Sequence, residues 1–187
     1  MIKILTPFAA LLLLTGCQTT QSKTEVPIDI PIEQTHIILP DGDLGPLIKV
    51  TRNVDFEGFV KEVINYENGY FRYLTLKNGK VIPRGRSEIL TIFHTGFRVF
   101  NGTPLTPDRP LNTPNLGPGT YLINAYNNLI CLASMSNPGT PETIDSVIHY
   151  PGEILIGYCQ PGKSLADNPN FERDALAFLS KIKIRED

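Results

Sequence analysis

Residues 157–164 read GYCQPGKS, and Gly157, Gly162, Lys163 and Ser164 fall at the spacing G-x-x-x-x-G-K-S. Loops with this spacing cradle nucleotide phosphates with backbone N–H groups, and the apolar run EILI before it is the strand such a loop should follow. The chemistry also needs a helix beginning at the Lys-Ser pair, so that free N–H groups and the helix dipole meet the anion. Here LADNP follows, and a helix begun at Ser164 meets Asn168-Pro169 within about one turn, where the residue before proline is pushed out of helical geometry. The expectation is a Pro-Gly turn leaving a core strand, with Lys163 solvated and no nucleotide bound.

The segment DSVIH sets Asp145, Ser146 and His149 close together, the residue types of a hydrolytic triad. A triad is a matter of geometry, however, and no G-x-S-x-G turn presents the serine. The three histidines, at positions 36, 94 and 149, are too scattered for a zinc-ligand spacing. Each is expected at the surface or as a satisfied core residue. Arg84 and Arg86 flank Gly85 in a loop-like stretch and are expected to be solvated. No catalytic, cofactor-binding or metal-binding residue is assigned, and no cofactor is expected.

The N-terminus reads MIKILTPFAALLLLTGCQTT, one Lys followed by an apolar run from Ile4 to Leu14. This is the outline of a secretory signal, too short to span a bilayer comfortably. Leu14-Thr15-Gly16-Cys17 resembles the lipobox of bacterial lipoproteins. The resemblance implies a signal peptide over 1–16, a diacylglyceryl group on the Cys17 thiol, and cleavage just before it. Gln18, standing where an Asp commonly retains such proteins in the inner membrane, implies the outer membrane, periplasmic side, with its lipid as the partner of acylated Cys17. With Cys17 so used, Cys131 and Cys159 remain as an even pair in an oxidising compartment, on two strand-like runs, and are expected to form a disulfide. Two separately buried thiols are the alternative.

Removing residues 1–16 leaves about 170 residues, enough for one domain with a proper core. With no arginine-rich run or basic face, nucleic acid is not an expected partner. Sixteen prolines, fifteen glycines and no tryptophan favour many short elements joined by turns. Residues 17–34 are read as a lipidated tether, and 35–187 as a single β-rich periplasmic domain. Within the tether, VPIDIPI (26–32) alternates apolar residues with prolines, as an edge strand or polyproline stretch does.

Asn68-Gly69 and Asn78-Gly79, each flanked by strand-like residues, predict a three-strand meander over 59–82. Residues 88–100, 119–126, 129–134, 146–150 and 153–159 are further strand candidates, rich in branched and aromatic residues. Phe171, Ala175, Phe178, Leu179 and Ile182 fall on one helical face, with Asn168 placed to cap and Pro169 in the first turn. The fold class is therefore mainly β, an antiparallel sandwich or barrel with one C-terminal helix. The alternative is α+β with an extra helix near 54–66, where apolar spacing also fits a helical face.

The stretch least explained by folding is 101–119, NGTPLTPDRPLNTPNLGPG, long for a connection and stiffened by its prolines. It is read as a partner-binding loop presenting Leu105, Leu111 and Leu116, with Asp108 and Arg109 between them. The functional expectation is a non-catalytic outer-membrane lipoprotein, a binding or assembly module whose partner is an envelope protein or glycan. The alternatives are an envelope hydrolase using His149 or His94, and a small subunit of a secretion or assembly machine to which VPIDIPI adds a strand.

Overall fold

The computed structural model describes residues 26–54, 58–76 and 103–185. Cys17, Arg84, Arg86, His94, the Asn78-Gly79 turn and the strand expected over 88–100 lie outside the described residues. The architecture is mainly β: among the described residues there are one large antiparallel sheet, two two-stranded ribbons and one α-helix. Among the described residues the sheet stays open and does not close into a barrel.

Three strands, β3 (Leu47–Val54), β4 (Phe59–Tyr66) and β5 (Gly69–Leu76), form a meander. Residues 59–66 are strand, so the helix alternative near 54–66 is not realised: pairing on both edges overrides a helical spacing of apolar residues. Strand β12 (Gly152–Pro161) lies between β5 and β9 (Leu129–Ser136), and β8 (Gly117–Tyr126) follows β9. The β8–β9 hairpin turns on Asn127 and Asn128, with φ of 46° and 63°, the left-handed pair that a two-residue turn requires and asparagine tolerates. At the other edge β1 (Ile28–Asp29) pairs with β3, so the VPIDIPI segment is an edge strand of this sheet. The folded part therefore begins upstream of residue 35.

The sheet has two unlike faces. Alternate residues of β12, Ile154, Ile156 and Tyr158, face helix α1 (Phe171–Leu179). Tyr158 stacks on Phe171 and Phe178, with ring centroids 6.2 and 4.8 Å apart. Phe171, Ala175, Phe178 and Leu179 are buried, as the helical face predicts, and Ile182 is buried just beyond the helix. The cap differs from expectation: Asn170 is the N-cap residue, while the Asn168 side chain donates to Gln160 Oε1 at 2.8 Å. On the opposite face Leu122, Cys131, Ala133, Met135, Leu155 and Cys159 form a second buried cluster. Cys131 and Cys159 stand directly opposite each other on β9 and β12 and are joined by the expected disulfide. Closing a loop of 28 residues is worth roughly 3–4 kcal/mol in the chain-entropy picture.

The described part of the 101–119 stretch, residues 103–119, is not a free loop. Strand β6 (Thr103–Pro104) and strand β7 (Arg109–Thr113) share the outer edge of β8, and residues 114–116 turn between β7 and β8. Pro110 is tolerated because β7 is an edge strand. Leu111 and Leu116 are core residues, 3% and 0% exposed, and Leu105 packs against the same cluster. Their apolar side chains are thus spent on this domain and are not presented outward. Replacing Leu116 by Ala should cost about 3 kcal/mol of stability and lower the melting temperature by several degrees. An unchanged thermal melt would contradict this placement.

Candidate functional site

Glu62, on β4, points to the helix-bearing face of the sheet and its side chain is wholly buried. An ionised carboxylate so placed needs donors on both oxygens. One oxygen accepts the backbone N–H of His36 at 2.7 Å, and the other accepts His36 Nδ1 and Arg52 Nε, each at 2.8 Å. Arg52 stands opposite Glu62 in the β3–β4 register, and its guanidinium also donates to the Gln34 carbonyl. Burial pushes the Glu62 pKa up, but the hydrogen bonds from His36 and Arg52 outweigh it and hold the carboxyl below its usual range.

An ionised carboxylate only accepts, so the His36 proton sits on Nδ1. The ring is thereby fixed in tautomer and orientation, 5.7 Å from the Tyr73 ring. His36 lines a cleft of about 470 Å³ together with Tyr73, Thr75, Asn115, Glu142 and Arg185. Thr75 Oγ1 donates to the Pro151 carbonyl at 3.0 Å, and Asn115 Nδ2 to the Ser180 carbonyl at 3.1 Å. Arg185 caps the segment below, its backbone N–H on the His36 carbonyl and its guanidinium on the Glu33 carbonyl. Strand β13 (Lys183–Ile184) pairs with β2 (Ile37–Ile38), so the segment between β1 and β3 and the C-terminal strand meet at this cleft. Its wall sets hydroxyl, amide, carboxylate and guanidinium groups among Tyr73, Pro138, Pro151 and Ile184, an apolar lining with a few polar groups such as ligand clefts have.

Sequence reasoning treated His36 as bland because its partner is Glu62, remote in sequence and reached only through strand pairing. No local signal announces the pair. The other candidates fare differently. Asp145 and Ser146 form the two-residue turn between β10 (Glu142–Ile144) and β11 (Val147–His149), with φ of 50° and 65°. His149 pairs with Glu142 at the far end of that hairpin, about 10 Å along the strand from Ser146 at roughly 3.3 Å per residue, so the strand does not bring the two together.

Gly157 lies inside β12, and the N–H groups of Lys163 and Ser164, the would-be phosphate donors, are both taken by the Asp167 carboxylate at 2.7 and 2.9 Å. Those hydrogen bonds hold Asp167 below its usual pKa. The helix starts at Phe171, well past the Lys-Ser pair. Arg109 pairs with Glu172 of α1 at the surface, its side chain 42% exposed; Glu172 also accepts the Tyr121 hydroxyl at 2.7 Å, and Asp108 is half-buried. Among the described residues no cluster of metal-ligating side chains is present.

The Glu62 cluster carries a pH signature. Its folded pKa is depressed, so its stabilisation is full above the unfolded value, about 4.3, and is lost as pH falls through the folded value. Glu62→Gln should lower stability at pH 7 by about 2 kcal/mol, and the gap to wild type should close below about pH 4. A gap that stays constant down to about pH 3 would contradict the ionised assignment. No protein-family model, curated protein sequence or solved structure matches this chain, so the chemistry of the cleft rests on its own residues.

Proposed function

We propose that the protein is a lipid-anchored component of the bacterial outer membrane, facing the periplasm, whose domain binds an envelope protein or glycan and does not turn it over. The observation that carries this reading is Leu14-Thr15-Gly16-Cys17 behind a short apolar run. The acyl chains on Cys17, at roughly 0.8 kcal/mol per buried CH₂, would hold it far more firmly than a single myristoyl group does. The cross-strand disulfide suits an oxidising compartment. Support for binding without turnover comes from the polar groups of the cleft, where Thr75, Asn115 and Arg185 are committed to backbone carbonyls of the fold. Groups held this way present a fixed polar surface, the kind that recognises a ligand with little ordering cost.

Labelling cells with radioactive palmitate tests the anchor. Wild type should take up the label and migrate as a processed form, whereas Cys17→Ser should remain an unlabelled precursor. Equal labelling of the two would overturn the assignment.

A further inference from the structure

The β10–β11 hairpin leaves the sheet between β9 and β12, and residues 139–148 are all exposed. It pairs with no other strand among the described residues, forming a two-stranded ribbon of its own. Ile144, Val147 and Ile148 are 44%, 41% and 51% exposed, with Ile144 directly across from Val147. A ribbon of this size is marginal in water, and aliphatic side chains gathered on one mark an interaction surface.

Strand register shows which end of the domain the ribbon occupies. Gly152 lies opposite Thr75, Thr75 opposite Val60, and Val60 opposite Val54. Ile28 lies opposite Arg52, so continuing that register puts Val26 level with Val54. The chain therefore enters the fold at the end of the sheet from which the hairpin projects. Val26, Ile28 and Val54 at this end are exposed as well. Four strand spacings, about 19 Å, separate β1 from β12.

Eight residues lie between Cys17 and Val26, and even fully extended that stretch spans only about 30 Å. A lipid on Cys17 thus keeps this end of the sheet close to the bilayer. We propose that the β10–β11 hairpin, with Val26 and Ile28 beside the point of chain entry, docks on the phospholipid leaflet as a second membrane contact; this rests on the lipid-anchored reading of Cys17. Residues 137–151 carry Glu142 and Asp145 and no Lys or Arg, so the contact is apolar and not electrostatic. Asp145 and Ser146 close the turn and stay hydrated at headgroup level. The docked domain would hold its cleft, whose rim includes Glu142 at the base of the hairpin, close to the membrane surface.

Two measurements test this. The unlipidated chain carrying Cys17→Ser, without its signal peptide, should bind vesicles of phosphatidylethanolamine and phosphatidylcholine with little dependence on salt. Ile144→Ser/Val147→Ser/Ile148→Ser should weaken that binding roughly tenfold or more. Its melting temperature is measured alongside, and the single Ile148→Ser serves as a milder second variant. Equal binding by the folded variants, or no binding by the parent chain, overturns the proposal.

In cells, a photo-crosslinker at Ser146 should yield phospholipid adducts, while one at Asn127, on a turn at the opposite end of the sheet, should not. A protein adduct at Ser146, whether to a second copy or to another chain, also overturns it. Absence of palmitate on Cys17 with vesicle binding intact would instead fault the anchor alone.

Discussion

Strand β12 is bonded on both edges, to β5 and β9, and residues 152–159 are buried without interruption. It is contributed by the C-terminal third of the chain, yet it joins the β1–β3–β4–β5 half of the sheet to the β9–β8 half. Without it the sheet would fall into two pieces with open edges. The same strand supplies Tyr158, on which α1 stacks, and Cys159, which ties it to β9. Both buried clusters are therefore assembled through one element, and each depends on the pairing of residues far apart in sequence.

A second constraint is electrostatic. Glu62 carries a buried charge that hydrophobic packing cannot tolerate, and it is stabilised by donors from two other segments: the stretch ahead of β2, which supplies His36, and β3, which supplies Arg52. The consequence is positional. The N-terminal segment is held across the sheet, β2 is placed to receive β13, and the cleft acquires its histidine in a single tautomer. Removing the acceptor would leave a backbone N–H, an imidazole and a guanidinium competing for water at a partly covered site.

Elements with strong local signals were legible in the sequence. Asn68-Gly69 flanked by strand residues marked the β4–β5 hairpin, the apolar run ILIGYC marked a strand, and the spacing of Phe171, Ala175, Phe178 and Leu179 marked the helix. The disulfide followed from compartment and strand context. What escaped depends on non-local pairing. Leu111 and Leu116 sit among prolines and looked like loop residues, because Pro110 is compatible with a strand only at an edge and edge position is invisible along the chain. His36 gained meaning only when β4 brought Glu62 beneath it. The mirror case is the phosphate-loop spacing, where a side chain three residues beyond Ser164, that of Asp167, occupies the N–H groups that gave the motif its interest.

Native-state hydrogen exchange tests most directly the claim that β12 holds the sheet together. Amides of β12 and of its partners β5 and β9 should exchange only through global unfolding, with one shared free energy and a common dependence on denaturant. The edge strands β1 and β7 should open at lower free energy. Exchange of β12 amides through a lower-energy opening, while β3 and β4 stay protected, would contradict the account.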